Sequence, residues 1–569
     1  MARTKKNKKD NNIPNNDLLM NLPYLLLTKI IRELDEDIDR ICFSLVCKRW
    51  FDHRDKYLWF NCFDLKQESK DHFDNKKNRY FKLNSFKDQF QRSLESDKDC
   101  TLLIHQSEDK DRKNTNYLIL SYGKQIIDDS IKLVDFEQYE IKSSYKKIIL
   151  ASDVNTLINK NMIDKIGKSN VQSLFVMGMC GFEVQLPSNI KDIESRNYIE
   201  EKYYPNELER LVYHDRCEVN TKQLPSTLKV LKIEEDDFIS LPPNLEDLTL
   251  DFDYRRAQFT KPNESVFPST IKRLQISTKW LDNIKHMTSI ETLIVSALSS
   301  PILPGSIPSS VTHLTLKYGR ELGIVRIKLP IIAEIFPENI KYLKLEGDIS
   351  FESDLFSTMN HLETLDLTTL VTTGFGEINV GELPSSLINL YMPSTFNGAI
   401  RKSVVFPKNL QHLDLGIGFR GKVVAMPKSI KSLALGTHSE ITPTSIPQLV
   451  ETIYFRSICR LTFLKEWPTV TTSITIETDT FSYYLPYMIP DTLTTIKVKL
   501  SDITYSIRRL TSTSLLVFGV SQRNLTIYLT GKKARLLQSS IPQSVETFFF
   551  KTDSLLKLPE DSSQPLQPL

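Results

Sequence analysis

Residues 224–233, LPSTLKVLKI, and residues 241–250, LPPNLEDLTL, share one pattern. The pattern is apolar-Pro-x-x-apolar-x-x-apolar-x-apolar, where x is any residue. The same phase returns in residues 307–316, IPSSVTHLTL, and in residues 336–345, FPENIKYLKL. This recurrence predicts a chain built from one short structural unit that is used many times.

The prolines show how far the unit extends. Fourteen of the 27 prolines occupy this phase, at positions 187, 205, 225, 242, 268, 308, 337, 384, 407, 427, 447, 468, 490 and 542. Fourteen copies hold 56 apolar positions, and only Ser195 and Thr471 break them, whereas chance at 40% hydrophobic content would fill about 22. Degenerate copies without Pro begin at Met287, Met359 and Ser512. With these copies most spacings are 17–26 residues, a length typical of leucine-rich repeats.

Each copy ends in the alternation L-x-x-L-x-L, which predicts a short strand with one buried face. Pro has no N–H to donate to a neighbouring strand, so it fits before the strand and not within it. A short polar residue often stands two positions after Pro, where it suits a turn that bonds to its own backbone. These residues are Asn189, Thr227, Asn244, Ser310, Asn339, Ser386 and Asn409.

One unit of this length cannot bury its apolar row, whereas stacked units bury a continuous core. The copies therefore predict a β-rich, leucine-rich-type solenoid with one long parallel sheet, about 80 Å long for seventeen strands. A β-sandwich is the alternative, but its strands recur every 8 to 12 residues, roughly, and without a fixed proline phase. Upstream of Pro187 the pattern fades into SNVQSLFVMG (169–178), KKIILAS (146–152), IKLVDF (131–136) and YLILS (117–121), which predicts an atypical cap.

Composition limits the function classes. Lys and Arg number 73 against 70 Asp and Glu, and a net charge of +3 argues against a dedicated nucleic-acid binder. The seven cysteines contain no C-x-x-C pair, which predicts a reducing compartment and neither a zinc site nor a disulfide framework. We expect no signal peptide and no membrane span, and therefore a cytoplasmic location, with the nucleus open because the chain begins with a basic stretch.

The signals of catalysis are weak. Gly416–Gly421 spells G-x-G-x-x-G but leads into KVVAMP, so we interpret it as a turn within a repeat. Gly167-Lys168-Ser169 lacks the first glycine of a P-loop, and His53-Arg54-Asp55 has no metal-binding Asp-Phe-Gly after it. No H-E-x-x-H or G-x-S-x-G occurs. We therefore predict no catalytic residues, no metal and no cofactor, and not an enzyme.

Residues 21–59, NLPYLLLTKIIRELDEDIDRICFSLVCKRWFDHRDKYLW, predict a compact set of helices. Pro23 suits a first helical turn. One helical face is predicted to hold Leu26, Leu27, Ile30, Ile31 and Leu34, and a second to hold Ile38, Ile41, Cys42 and Leu45. About forty residues are marginal as an independent core, so this unit is expected to need a partner surface.

These residues resemble an F-box, whose pattern opens with Leu-Pro and closes with Leu-x-x-Val-Cys-Lys-Arg-Trp and a later Trp. Here Leu22-Pro23 opens the segment, and Phe43-Ser44-Leu45-Val46-Cys47-Lys48-Arg49-Trp50 closes it, with Trp59 following. The match covers about 40 of 569 residues. The resemblance implies binding to a Skp-type adaptor of a cullin ligase. The residues it assigns to that contact, or to its support, are Leu22, Pro23, Ile30, Leu34, Leu45, Val46 and Trp50.

The repeats resemble the FNIP family of social amoebae, in which Leu-Pro-x-Ser-Leu-x-x-Leu-x-Leu is followed by Gly and Phe-Asn-x-x-Ile. Phe396-Asn397-Gly398-Ala399-Ile400 keeps the second half, and Gly416-Ile417-Gly418-Phe419 is a partial echo. Most copies have lost that half, which makes this a degenerate member. F-box segments joined to such repeats are known in that group.

Together these features predict six segments. They are a disordered basic tail at 1–18, F-box-like helices at 19–61, a linker and the start of the cap at 62–115, atypical N-terminal cap repeats at 116–186, the repeat solenoid at 187–552 and a C-terminal tail at 553–569.

Alternation along each strand predicts which side chains face away from the core. In one stretch these are Asn389, Tyr391, His412, Asp414, Tyr454 and Arg456, a set rich in the aromatic and Arg side chains that dominate binding energy. Exposed strands favour Tyr and Thr in any case, so plain surface is the alternative reading of this set.

The resemblance implies a substrate receptor that holds an unknown target protein. A non-catalytic scaffold without a ligase role is the second hypothesis, and an enzyme with a deep polar pocket is the third.

Overall fold

The computed structural model describes residues 21–60, 86, 88–89, 92–93, 100–105, 129–151, 156–178, 180–215, 217, 219–234, 240–250, 266–296, 301–318, 330–351, 355–370, 383–394, 406–419, 422–423, 426–436, 440–441, 446–456, 468–477, 492–499, 503–511, 514–521 and 525–530. The chain divides into two compact units, one comprising Met1–Ser96 with Leu493–Leu569 and the other Asp97–Thr492. Both predicted tails, the YLILS strand, residues 396–400 and the copy at Pro542 lie outside the described residues. The six segment boundaries stay predictions.

Helices make up a small part of the described chain. The α-helices there are α1 (Tyr24–Arg32), α2 (Asp37–Ser44), α3 (Lys48–Asp52), α4 (Lys160–Gly167) and α5 (Leu281–Ile284). Short 3-10 helices cover Arg54–Lys56, Leu133–Asp135, Glu201–Tyr203, Thr221–Gln223, Thr278–Trp280 and Ala333–Ile335. Helix α4 begins where the Asn159 side chain accepts the Met162 N–H at 3.0 Å, and it buries Met162, Ile163 and Ile166.

Strands dominate the described chain. Those of the cap and the first copies are β1 (Cys100–His105), β2 (Asp129–Lys132), β3 (Tyr145–Ala151), β4 (Thr156–Ile158), β5 (Ser173–Val176), β6 (Cys180–Phe182), β7 (Asp192–Ser195), β8 (Arg210–Tyr213), β9 (Val230–Ile233) and β10 (Asp247–Leu250). Next come β11 (Arg273–Ser277), β12 (Thr292–Ser296), β13 (His313–Lys317), β14 (Pro330–Ile331), β15 (Tyr342–Glu346), β16 (Ser350–Phe351), β17 (Thr364–Asp366), β18 (Asn389–Tyr391), β19 (His412–Asp414), β20 (Lys422–Val423), β21 (Ser432–Leu435), β22 (Glu440–Ile441), β23 (Thr452–Arg456) and β24 (Ser473–Glu477). The last are β25 (Thr495–Lys499), β26 (Ile503–Thr511), β27 (Ser514–Ser521) and β28 (Leu525–Thr530).

One long parallel sheet runs through the 97–492 unit, as the repeat pattern predicts. Its described strands follow the order β2, β1, β3, β5, β7, β8, β9, β10, β11, β12, β13, β15, β17, β18, β19, β21, β23 and β24, and every pairing among them is parallel. Each copy of the repeat forms one coil of the chain. Three further parallel pairs, β4–β6, β14–β16 and β20–β22, link coils of this unit outside the long sheet. The unit is therefore a β-solenoid, with one strand of the long sheet contributed by each coil.

The register stacks the central apolar position of each copy on the same position of the next. The aligned residues are Leu211, Leu231, Leu248, Leu274, Leu293, Leu314, Leu343, Leu365, Leu390, Leu413, Leu433, Ile453 and Ile474. In the twelve copies whose Pro is described, the three apolar positions after Pro are buried at every site except Ile476. The core is thus a continuous apolar column beneath the sheet.

Ser195 and Thr471, which break the apolar pattern, are also fully buried. The Ser195 hydroxyl donates to the Asn197 carbonyl at 2.6 Å, and the Thr471 hydroxyl donates to the Val450 carbonyl at 2.7 Å. Each polar group is therefore satisfied by backbone, which is the condition for a hydroxyl to replace an apolar side chain in a core.

A tight turn follows each Pro. In all twelve described copies the Pro carbonyl accepts the N–H of the residue three positions on, at 3.0–3.4 Å. The turn reverses the chain just before the strand, so the missing N–H of Pro never faces a neighbouring strand.

The polar residue two positions after Pro bonds to the preceding coil, so the prediction that it bonds to its own turn is wrong. Thr227 donates to the Leu208 carbonyl at 2.7 Å, and Ser386 donates to the Leu362 carbonyl at 2.8 Å. Asn189, Asn244, Thr270, Ser310, Asn339, Asn409 and Ser429 also donate to carbonyls of the coil before their own. These carbonyls lie ahead of the strand, where no ladder donor reaches them, and the side chain satisfies them. We call this series the inter-coil ladder.

The last four strands belong to the other unit and pair differently. Strands β25 to β28 form antiparallel pairs in sequence order. The degenerate copy at Ser512 was predicted to add a strand to the parallel sheet, and this prediction is wrong, because β27 pairs antiparallel with β26. Only a few residues separate these strands, and so short a connection joins antiparallel strands only.

The inter-coil ladder allows a matched test of stability. Ser310→Ala with Ser386→Ala should lower the free energy of unfolding by about 1 kcal/mol per site, because each change leaves a carbonyl of the preceding coil without its donor. The control is Ser309→Ala with Ser385→Ala, one residue earlier in each copy and exposed, which should change it by about 0.5 kcal/mol or less. Chemical denaturation measures both. Equal losses in the two double variants would contradict the ladder.

Candidate protein-binding surfaces

The N-terminal helices build a small core from one side of α1. Leu27 and Ile31 of α1 are fully buried with Ile38 and Ile41 of α2. Trp50 joins this core, and its ring stacks on Phe43 with centroids 4.5 Å apart. Residues four apart lie on the same helix face, so the face that carries Leu27 and Ile31 turns inward.

The next face of α1 is apolar and open to solvent. Leu25 is 70% exposed, Leu26 42% and Ile30 36%, and Val46, between α2 and α3, is 60% exposed. The face predicted to hold Leu26, Leu27, Ile30, Ile31 and Leu34 is therefore covered only in part, because Leu27 and Ile31 enter the core while Leu26 and Ile30 stay partly open to solvent. We call Leu25, Leu26, Ile30 and Val46 the exposed apolar set. Leu25, Leu26 and Ile30 lie on α1, and Val46 lies on the connection between α2 and α3.

The residues that the resemblance assigns to adaptor contact fall into three classes. Pro23, Ile30 and Val46 are exposed, and Leu22, Leu34 and Leu45 are half-buried. Trp50 is only 5% exposed, so it supports the helices from within. The prediction omitted Leu25 and Leu26. Leu26 and Ile30 are four apart within α1, and this spacing could have identified Leu26 as part of the same partly open face as Ile30.

The partner surface expected for these helices lies in the same unit. Leu516 of β27 belongs to the core that Leu27 and Ile41 form. Arg508 of β26 contacts Asp39 and Glu36, with Nε–Oδ1 at 2.6 Å and Nη2–Oε2 at 3.0 Å. Burial alone would raise the pKa of Glu36, but the Lys497 hydrogen bond and the charges of Arg508 and Lys497 lower it below its ordinary value. Glu36, the N-cap residue of α2, and Asp39 within the helix are therefore both ion-paired to C-terminal strands.

The second surface is the outer face of the solenoid sheet. Asn389 pairs in register with His412, and Tyr391 with Asp414, on adjacent strands β18 and β19. Tyr454 and Arg456 lie two strands further on, beyond β21. The structure thus brings the six predicted residues onto one stretch of sheet, the β18–β23 patch.

Within this patch Asp414 is the buried residue, at 6% exposed, whereas His412 is exposed and the other four are half-buried. Asp414 Oδ1 accepts the Gly416 N–H at 2.8 Å and is also ion-paired with Arg456 Nη1. The Arg456 guanidinium lies 5.3 Å from the centre of the Tyr454 ring. Asp414 therefore holds Arg456 in place and is not itself open to a partner.

Small residues on the intervening strand allow this long reach. Ala434 of β21 is in register between Asp414 and Tyr454, and Gly436 follows the strand. A Cβ at Gly436 would lie 2.7 Å from the carbonyl oxygens of Gly416 and Phe419. Tyr391 and Tyr454 lie on strands three spacings apart, about 14 Å, with Asp414 and Ala434 in register between them.

The patch extends further than the sequence indicated. Asp366 of β17 is in register with Tyr391, and its Oδ2 accepts the Tyr342 hydroxyl at 3.3 Å. Burial, and then the Asp366 charge, raises the pKa of Tyr342 to about 12. Burial, and then the charges of Asp366 and Asp414, also raises the pKa of Tyr391. Both shifts favour the neutral hydroxyl, and that of Tyr342 is already engaged with Asp366. Tyr342 and Asp366 occupy, in the two preceding copies, the strand positions that Asn389 and Tyr391 occupy in theirs. The same alternation could therefore have identified them from the sequence.

A separate charged cluster lies near the start of the same sheet face. Glu194 accepts from Arg210 at 2.8 Å and from His214 at 3.4 Å, and Lys147 lies 4.0 Å away. The His214 hydrogen bond is the main cause that lowers the pKa of Glu194 to about 2, and burial opposes it. Phe175, 1% exposed, lies beside the cluster, with its ring 5.4 Å from Lys147 Nζ and 5.6 Å from the His214 ring. The sequence did not indicate this cluster.

The described residues form no group of three or more His, Cys, Asp or Glu that could hold a metal ion. An open cleft of about 700 Å³ is lined by loop residues 139–143 and 168–170, with Glu140 and Lys142 among them. Gly416 has φ +77° and starts a turn, as the interpretation of the G-x-G-x-x-G stretch requires. No helix in the described part of the chain is long and apolar enough to span a bilayer.

Comparisons with known proteins add little beyond this description. No protein-family model and no curated protein sequence matches the chain. Among solved structures, the chain is similar to an internalin from Listeria monocytogenes, at a TM-score of 0.30 and 14% sequence identity. That similarity covers 48% of this chain and 81% of the internalin chain. The assignment as a β-solenoid therefore depends on the strand pairings themselves.

The close packing of Gly436 against Gly416 and Phe419 of the preceding coil can be tested by substitution. Gly436→Ala should lower the free energy of unfolding by about 1–3 kcal/mol, because the added methyl meets backbone oxygens that cannot move aside. Gly181→Ala is the matched control, since its Cβ would meet its nearest atom at 3.7 Å, and about 0.5 kcal/mol or less is expected. Thermal and denaturant melts measure both. An unchanged free energy of unfolding for Gly436→Ala would show that the coil with Gly436 is not closely stacked on the coil with Gly416.

Proposed function

We propose that the chain is a substrate-recognition subunit of a Skp–cullin–F-box type ubiquitin ligase. In this proposal the helices α1–α3 bind the Skp-type adaptor, and the outer face of the solenoid holds a target protein. The conjugating enzyme performs the chemistry, and this chain contributes proximity by raising the concentration of the target near it. The exposed apolar set carries the proposal, because it places open apolar side chains on the segment that resembles an F-box.

Two further features support this division of roles. The order Leu22-Pro23 and then Val46-Cys47-Lys48-Arg49-Trp50 coincides with helices that form a core around Trp50. The solenoid presents a rigid sheet whose tyrosines lose little side-chain entropy when a partner binds. Repeat solenoids in general use such extended faces for binding.

A non-catalytic interaction scaffold is the second candidate, and one observation favours it. The helices α1–α3 share a core with β27, so their apolar residues also serve to complete that unit. In this alternative the F-box-like segment is structural, and the solenoid binds partners without a ligase. Adaptor binding by the full chain separates the two candidates.

Adaptor binding should depend on the exposed apolar set. Leu26→Asp with Ile30→Asp should reduce capture of a purified Skp-type adaptor by more than about 100-fold, because two charges would enter an apolar contact. Both side chains are partly exposed, so the variant is expected to fold, with an unfolding midpoint lowered by much less than adaptor capture is. Affinity capture and thermal melts of the full chain measure these effects.

The matched control makes the same chemical change elsewhere. Leu157 and Leu449 are 61% and 57% exposed and lie on the solenoid, and Leu157→Asp with Leu449→Asp should leave adaptor capture unchanged. Wild-type chain that fails to capture any Skp-type adaptor would favour the scaffold. Full capture by the Leu26 and Ile30 variant would contradict the assigned surface.

Target binding should depend on the tyrosines of the β18–β23 patch. Tyr391→Ala with Tyr454→Ala should remove target proteins from those captured by the full chain and leave the adaptor, because each change deletes an aromatic contact worth about 2 kcal/mol. Tyr198→Ala with Tyr203→Ala, on the loop before β8, is the control. Mass spectrometry of captured proteins, with the proteasome inhibited, measures the outcome. An unchanged set of partners would place the site away from this patch.

A further inference from the structure

A three-residue cradle on the C-terminal strands meets helix α2. Lys497 of β25 and Ser506 of β26 are directly paired across the antiparallel ladder, and Arg508 lies two residues beyond Ser506. Alternation along a strand therefore places all three side chains on the same sheet face. Leu516 of β27 is paired with Arg508, so it lies on that face too and joins the helical core.

The cradle binds two carboxylates at the start of α2, Glu36 at its N-cap and Asp39 in its first turn, with directed hydrogen bonds. Arg508 contacts Asp39 through two bonds, Nε–Oδ1 at 2.6 Å and Nη2–Oδ2 at 3.0 Å. Its Nη2 also donates to Glu36 Oε2 at 3.0 Å, and Ser506 Oγ donates to the same oxygen at 3.1 Å. Lys497 is ion-paired with Glu36 Oε1. A bidentate Arg–carboxylate contact fixes orientation as well as distance, so it sets how α2 lies on the strands.

Helix α2 in turn fixes α1. Arg40 of α2 is 1% exposed and donates to the Leu34 carbonyl, just after the end of α1, through Nε at 2.9 Å and Nη2 at 2.7 Å. Its guanidinium also lies 4.3 Å from the centre of the Trp59 ring. A displacement of α2 would therefore move the end of α1, and with it Leu26 and Ile30 on the open face.

We propose that Arg508 is a positioning residue for the N-terminal helices, which it holds in one orientation through Asp39 and Glu36. That these helices are an adaptor-docking surface rests on the function proposed above. The positioning itself does not depend on that function. The partners are about 470 residues apart in sequence, so a substitution near the C-terminus is expected to alter a surface formed at the N-terminus.

Reversing the charge at Arg508, alone and together with the opposite reversal at Asp39, tests the contact in the full chain. Arg508→Asp should speed hydrogen exchange of the amides in α1 and α2 by about tenfold or more, because it removes a partly buried ion pair and places a third acid beside Asp39 and Glu36. Arg508→Asp with Asp39→Arg restores an opposite-charge pair in reversed order, and exchange should return most of the way to the wild-type rate. Arg508→Lys, which keeps the charge but not the fork, should give an intermediate rate.

Arg509→Asp is the matched control. It makes the same charge change one residue along, on the opposite face of the strand, where the guanidinium Nε donates to the Leu493 carbonyl. It should leave exchange in α1 and α2 unchanged. Arg508→Asp with unchanged exchange in these helices, or a double variant no better than the single one, overturns the positioning role.

Adaptor capture by the same variants separates the two proposals. If Arg508→Asp weakens adaptor capture by about tenfold and the double variant Arg508→Asp with Asp39→Arg recovers it, both proposals are supported. If the hydrogen-exchange rates of the variants change as predicted but the wild-type chain captures no adaptor, Arg508 still positions the helices and the proposed ligase function fails. If capture is lost in Arg508→Asp while exchange stays at the wild-type rate, the positioning proposal fails.

Discussion

The stacking of one apolar position on its equivalent in the next coil is the constraint on which the solenoid depends. A strand of four or five residues has too few contacts to be stable alone, and its apolar side chains are covered only when neighbouring coils are in register. The leucines from Leu211 to Leu433 and the isoleucines that follow satisfy this requirement without a shift of one residue. A slip of one position would turn the whole row towards solvent, so each coil fixes the next.

Proline and the polar residue after it solve the problem that stacking creates. Every coil must turn sharply before its strand, and the carbonyls there face the neighbouring coil where no strand N–H is available. The Pro carbonyl closes the turn, and the Ser, Thr or Asn two positions later satisfies a carbonyl of the coil before it. The inter-coil ladder therefore adds polar contacts on the same spacing as the apolar column, and both favour the same register.

The same regularity explains why the outer face can carry recognition. Outward side chains are free of the core, so the coils can vary there without loss of register. In the β18–β23 patch, small residues on β21 let Arg456 reach Asp414, and tyrosines stand on both sides. The N-terminal helices follow a different rule. Their apolar residues divide between an inner face that shares a core with β27 and an open face that carries Leu26 and Ile30.

The sequence alone determined the parallel stack, its core positions and the outward direction of the six patch residues, because alternation and repeat length are encoded within each copy. It also indicated that the helices need a partner surface. Only the tertiary structure decided which partner that is, since the contact of Arg508 with Asp39 joins residues that no local pattern relates. The direction of the Ser and Asn bonds, the burial of Asp414 and the antiparallel pairing of β25–β28 were likewise decided by neighbours in space. Each depends on which backbone lies within about 3 Å of a given side chain or strand edge, and periodicity along the chain does not specify that distance.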